Sequence, residues 1–267
     1  KEGVKLWFSC NPEGPEHWFY KEWILQADKR NCLHLHFTMQ DNPSLSQTVR
    51  RRYERLYAGV FYRRFILGQW CQAEGRVYDF FDTASVRPAP GGVFEQWVIS
   101  CDYGTVNPAS FGLWGKQNGV WYRTDEFYFD SRREGRQMTD AEYAGKLRGL
   151  AGGRTIREVI VDPSAASFIE ALRREGFPVS RADNDVADGI RVTANLLKQR
   201  RIVICEGCES CLSEIAAYCW EESGTGRDRP KKERDHAMDE MRYFAVSIAK
   251  KERGGGIAMR AVERAAR

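Results

Sequence analysis

Between residues 97 and 129 three strand-length stretches follow one another with no room for a helix between them, which limits the fold more than any other feature. Trp97-Val98-Ile99-Ser100-Cys101-Asp102 reads as a buried strand, a second runs over about 109–115, and a third over about 120–129. Gln117-Asn118-Gly119 separates the last two, and Asn-Gly accepts the positive φ of a tight hairpin. The three strands therefore form an antiparallel meander. Beyond it the pattern alternates: helix 139–151, strand 156–162, helices 164–175 and 186–199, strand 201–205, helices 209–219 and 236–250. A meander followed by such alternation calls for a mixed α/β sheet flanked by helices rather than a doubly wound parallel one.

Upstream, the chain is rich in aromatic and charged residues. Val4–Phe8 and Cys32–Phe37 read as strands, and a helix over about 46–58 is introduced by Asn42-Pro43-Ser44 and ended near Gly59. Arg87-Pro88-Ala89-Pro90-Gly91-Gly92 is the strongest linker signal. The expected division is a small α/β region at 1–86, a linker at 87–95, the main domain at 96–250 and a basic, weakly ordered tail at 251–267. The start, Lys1-Glu2-Gly3, has neither an initiator Met nor a signal-peptide pattern, so the chain reads as part of something longer. A hydrophobic share of 42% supports a real core, and no apolar run reaches membrane-spanning length. The net charge of +4 is compatible with a nucleic-acid partner without demanding one.

Three aspartates stand out within this frame. Asp102 ends the first strand of the meander, and Asp162 ends Val159-Ile160-Val161, the natural parallel neighbour of that strand. Asp239 lies early in the last helix, beside a stripe of Ala237, Met241, Phe244, Ala245 and Ile248 at helical spacing, with His236 at i−3 and Asp235 at i−4. Singly, each acid has an ordinary use: Asp102 starts a turn before Tyr-Gly, Asp162 caps a turn before Pro, and Asp235 N-caps its helix. Together, two strand-end carboxylates and one helix carboxylate can make an oxygen-rich cage for hard divalent cations. Two such ions about 4 Å apart need bridging carboxylates and serve phosphodiester hydrolysis. Asp239 is the better third ligand because Asp235 is occupied as the cap.

Two other clusters have competing readings. Cys205, Cys208 and Cys211, with Cys219 further on, have a metal-site look, but they fall at a strand end and on a helix and read as reduced core thiols. Arg227, Arg229, Lys231, Lys232 and Arg234 precede the last helix together with two acids. They either contact DNA phosphates or form a solvated loop.

The segments Val98–Gly104 with Asn107-Pro108, Val159–Ser164 and His236–Tyr243 together resemble the nuclease domain of phage and prophage terminase large subunits. Ser9–Trp18, Gly59–Arg64, Gly68-Gln69-Trp70 and Ala73-Glu74-Gly75 are similar to the end of that family's ATPase domain and its lead into the nuclease. The resemblance runs from about residue 6 to 250. It implies a ribonuclease H-like fold, with Asp102, Asp162 and Asp239 holding two Mg²⁺ or Mn²⁺ ions and His236 as an accessory catalytic group. It further implies cutting of double-stranded DNA during genome packaging in the bacterial host cytoplasm, with the portal protein and small terminase subunit as partners. No G-x-x-x-x-G-K-[ST] loop is present, since Gly115-Lys116 is followed by Gln117, so no ATPase activity is expected of these residues. Another ribonuclease H-like nuclease, of resolvase or integrase type, shares the acidic strands but does not account for the N-terminal segments. A prophage remnant that binds DNA or portal without cutting is the non-enzymatic rival.

Overall fold

The computed structural model describes residues 5–82, 86–221 and 228–265, with side chains as far as 252. The chain forms two compact units: Lys1–Asp79 with Cys219–Pro230, and Phe80–Tyr218 with Lys231–Arg267. No helix among the described residues is long and apolar enough to cross a membrane.

The first unit holds a π-helical turn at Tyr20–Ile24, a 3-10 turn at Met39–Asp41, and helices α1 (Gln47–Leu56) and α2 (Gly59–Phe65). Ser46 caps α1 by accepting from the Val49 amide at 3.4 Å. Buried Arg64 on α2 donates through Nε to the Cys71 carbonyl at 3.1 Å and pairs with Asp228, which ties the 219–230 stretch into this unit. The two strands expected at Val4–Phe8 and Cys32–Phe37 are not there: residues 5–8 and 32–37 are irregular and carry no ladder. Apolar strand-length runs stay irregular when no partner strand supplies hydrogen bonds. Leu6, Trp7, Phe8, Leu33 and Phe37 are accordingly all exposed.

The second unit is built on one six-stranded sheet: β1 (Gln96–Asp102), β2 (Ala109–Gln117), β3 (Val120–Phe129), β4 (Ile156–Val161), β5 (Val179–Arg181) and β6 (Ile202–Ile204). Its order is β5-β4-β1-β2-β3-β6. The meander β1–β2–β3 is antiparallel, while β4, β5 and β6 add in parallel pairing. Asn118 and Gly119 have φ of 51° and 77°, the two positive values that a type I′ hairpin needs. β5 is absent from the expected elements; at three residues it is too short for a periodic signal.

Period-two alternation sorts the sheet's two faces. Ile99, Cys101, Phe111, Leu113, Val159 and Val161 pack with Tyr143 and Leu147 of α3 (Asp140–Ala151) and with Phe168 and Leu172 of α4 (Ala166–Arg174). The opposite face receives α5 (Val186–Lys198), α6 (Glu209–Ala217) and α7 (His236–Ala265). Trp114 of β2 stacks on Phe244 of α7 with ring centroids 3.9 Å apart and planes 5° apart. Such a pair contributes about 1 kcal/mol beyond its buried area. Ala237, Met241, Phe244, Ala245 and Ile248 are buried, as the stripe predicts. α7 runs to Ala265, beyond the end expected near 250. The Ala-, Met-, Arg- and Glu-rich stretch after Gly256 has strong helix propensity, which outweighs three consecutive glycines.

Candidate active site

The same alternation places the acids. Val98, Ser100 and Asp102 share one face of β1, and Glu158, Ile160 and Asp162 share the corresponding face of β4 and its end. This is the face that α7 covers: Ser100 bonds Glu240, and Asp102 bonds His236. β1 and β4 are adjacent parallel strands in register at Cys101 and Val161. Asp102 and Asp162 are therefore the next position along each strand, about one strand spacing (roughly 4.8 Å) apart at the backbone. Asp239 comes to them from α7. All three line a single cleft of about 1310 Å³, together with His236, Arg242, Tyr243 and Glu214.

Each aspartate is held by a neighbour. His236 Nδ1 lies 2.8 Å from Asp102 Oδ2. Tyr243 donates its hydroxyl to Asp162 Oδ2 at 2.7 Å, and the Ser164 amide donates to Oδ1 at 2.7 Å. Arg242 Nη2 donates to Asp239 Oδ1 at 2.6 Å, while its Nη1 reaches the Asn184 carbonyl at 3.2 Å. In this arrangement no three acidic, histidine or cysteine side chains among the described residues converge into a closed metal cage.

The electrostatics show strain between the acids. Burial, and then the charges of Asp239 and Asp162, outweigh the pull of His236 and raise the Asp102 carboxyl to about 6. At Asp162 burial works upward too, but the Ser164 and Tyr243 hydrogen bonds and the charge of Arg242 hold it below the usual range. Burial lowers His236, yet its bond to Asp102 and the charges of Asp102, Asp235 and Glu214 leave it above the ordinary histidine value. Asp235 is raised by burial and by Asp239. The hard oxygen donors of Asp102, Asp162 and Asp239 on one wall of a cleft are of the chemical type that takes divalent cations.

Arg242, Tyr243 and Glu214 lie outside the residues expected from sequence, although the first two sit inside the His236–Tyr243 segment. A further network is equally hidden. Arg123 of β3, fully buried, donates through Nη2 and Nε to Glu240 Oε2 at 2.8 and 3.1 Å. Trp114 Nε1 donates to Glu240 Oε1 at 3.0 Å, and Arg123 also pairs with Glu126. Glu126 in turn accepts from the Ser210 amide at the start of α6 at 2.6 Å. Beside the same network, burial raises Cys205, Cys208 and Cys211, so they are packed thiols; the Cys208 thiol donates to the Arg123 carbonyl at 3.1 Å. Cys219 belongs to the other unit.

Of the basic stretch before α7, Lys232 and Arg234 line the cleft, and Arg234 is anchored to Ser213 Oγ at 2.6 Å. Lys231 is exposed and does not line it, Arg229 belongs to the first unit, and Arg227 lies outside the described residues. Arg132 and Arg133, on the loop after β3, line the cleft without a sequence signal that puts them there.

Known proteins place this architecture. The description "Phage terminase large subunit" matches residues 1–69. The large terminase of a thermophilic bacteriophage, solved in complex with ADP, is 48% identical with a TM-score of 0.89, over 93% of this chain and 63% of that one. The chain is thus similar to phage terminase large subunits, in sequence and in structure. The large subunit of Escherichia phage T5 terminase is 24% identical over 94% of this chain and 60% of its own length. The large-terminase nuclease of thermophilic phage G20c, solved with bound magnesium, is 12% identical with a TM-score of 0.51, over 66% of this chain and 98% of that one. The last likeness is one of fold, and the mixed sheet is ribonuclease H-like. The chain spans less than two thirds of the ADP-bound terminase and of the phage T5 protein.

Proposed function

We propose that the second unit is a metal-dependent endonuclease that cuts double-stranded DNA during genome packaging. The observation that carries this reading is the meeting of two strand-end aspartates and one helix aspartate in one cleft, with Asp102 raised to about 6 by burial and its acidic neighbours. Asp102, Asp162 and Asp239 would hold two divalent cations, Mg²⁺ or Mn²⁺. Bound there, the cations would supply activation of the attacking water and neutralisation of charge on the phosphate. The chain's own residues do the rest. Tyr243 and the Ser164 amide fix the Asp162 carboxylate, so its orientation does not depend on the cations. His236 orients Asp102 through its Nδ1. Arg242 restrains Asp239 against α5's leading loop. Lys232 and Arg234 at the cleft wall are placed to contact backbone phosphates, which position a duplex without reading its sequence.

In this reading the first unit is the end of a motor domain. Nucleotide hydrolysis is then assigned to the part of the relatives that this chain does not span. Portal protein and small terminase subunit would set where and when cutting occurs, in the host cytoplasm. The test is Mn²⁺-dependent nicking of supercoiled plasmid. Asp102→Asn is expected to lower the rate by at least two orders of magnitude, and undiminished nicking would sink the proposal.

A further inference from the structure

Asp102 and Asp162 are carried by the sheet itself, but Asp239 and His236 arrive on α7, so their placement depends on how the first turn of that helix is tied down. His236 and Ala237 are successive residues there, and each is held from outside the helix. His236 Nδ1 meets Asp102 Oδ2 at 2.8 Å. The Ala237 amide, one of the N-terminal donors that a helix cannot satisfy from within, donates to Glu214 Oε2 of α6 at 2.7 Å. Glu214 Oε1 in turn accepts from the Tyr128 hydroxyl of β3 at 2.7 Å. Ala237 is fully buried and Glu214 is 2% exposed, so bulk water does not replace these bonds.

The sheet register gives this brace a definite target. Tyr128 is paired with Ser110 on β2, and Ser110 with Asp102 on β1. Directly paired residues share a face, so Tyr128 and Asp102 stand at the two ends of one cross-strand row, two strand spacings or about 10 Å apart. Successive residues of α7 are thereby fastened to both ends of the row that bears Asp102, which fixes the height and rotation of the helix above it. α6 is itself tied to β3, since Glu126 accepts from the Ser210 and Cys211 amides at 2.6 and 3.2 Å. With both carboxylate oxygens engaged, Glu214 has the partners of a brace and not those of a cation ligand. We infer that Glu214, held by Tyr128, is a positioning residue of the cleavage site: it sets the direction from which His236 and Asp239 reach the Asp102 row. The inference rests on the nuclease reading above and adds to it a residue that acts only through α7.

The experiment measures kcat and KM for Mn²⁺-dependent plasmid nicking by the full chain, and the His236 imidazole nitrogen resonances in chelator. Glu214→Ala removes the brace, whereas Glu214→Gln keeps an acceptor oxygen for the Ala237 amide. Glu214→Ala is expected to lower kcat about tenfold or more, the scale of a misplaced catalytic group, with KM changed by less than about twofold. It should also move the His236 Nδ1 resonance, because the bond to Asp102 is no longer held in line. Glu214→Gln should bring kcat back to within about threefold of the unaltered chain and return the resonance. Tyr128→Phe, which removes one hydroxyl, should show the same changes in weaker form. It decides the matter if Glu214→Ala does not fold at the assay temperature, and an unchanged kcat and resonance there overturn the inference. A Glu214→Ala chain that melts lower yet keeps kcat and the His236 resonance, while Asp102→Asn no longer nicks, overturns this inference alone. So does Glu214→Gln as slow as Glu214→Ala. Failure of the unaltered chain to nick overturns the nuclease reading and this inference together.

Discussion

The fold raises the Asp102 carboxyl to about 6, against an unfolded value near 3.8. A raised carboxyl means that the fold favours the protonated form. Its contribution is fully present below about pH 4 and is lost as pH rises through about 6. The side chain is only 16% exposed, so solvent screening leaves most of this intact. A shift of about two units corresponds to roughly 3 kcal/mol. Asp102→Asn imitates the protonated form at every pH. In chelator, variant and unaltered chain are expected to melt together at pH 4. At pH 7.5 the variant should melt higher, by on the order of 5 °C. Saturating Mg²⁺ should narrow or reverse the gap, because the cation stabilises only the chain that binds it. Parallel melting curves across this range would show that Asp102 is not under the proposed strain.

Helix α7 shows what can be read locally and what cannot. Its buried stripe, and the alternation that puts Asp102 and Asp162 on the covered face, follow from residues a few positions apart. Asp102, Asp162, Asp239 and His236 are legible for that reason, and the structure brings them to one cleft. The cap is not legible, because Glu214 reaches Ala237 from 23 residues away and competes with Asp235, which has the ordinary capping chemistry. The Arg123–Glu240 pair is hidden for the same reason: 117 residues separate partners that meet only once the sheet is covered. The pair sets the rotation of α7 next to Asp239, and it needs Gly112. A Cβ there would lie 2.4 Å from Glu240 Oε1 and 2.7 Å from Arg123 Nε. Neither fully buried group has space to retreat. Gly112→Ala is therefore expected to lose about 3 kcal/mol by denaturant unfolding, the scale of breaking a buried ion pair. A loss under about 1 kcal/mol would mean that the network yields easily and does not fix the helix.

Across the whole molecule, the division of the chain depends on contacts far apart in sequence. The stretch 219–230 reads from sequence as part of a continuous 96–250 domain, yet Asp228 pairs with Arg64 and accepts from the Ala73 amide at 3.3 Å, which puts it in the first unit. A charged loop carries no periodic signal of which unit it joins. The same break separates the basic cluster, leaving Lys232 and Arg234 at the cleft. On a different loop, Arg132 Nη2 is anchored to Asn107 Oδ1 at 3.1 Å, and Ser131 Oγ to the Val106 carbonyl at 2.8 Å. These bonds join the loops after β1 and β3 into one wall. Glu134 and Glu233 line the cleft as well, so the proposed binding of a polyanion would come from individually placed cations rather than from net charge. Such contacts are read in the salt dependence of DNA affinity, where each phosphate neutralised contributes about 0.9 to the slope of log K against log salt. With Ca²⁺ in place of Mg²⁺ to suppress cutting, Lys232→Ala/Arg234→Ala should lower that slope by nearly 2, and Arg132→Ala/Arg133→Ala by a similar amount. Arg173→Ala/Arg174→Ala on α4, which does not line the cleft, should leave it unchanged. If the α4 pair changes the slope as much as the cleft pairs, DNA does not lie along this cleft.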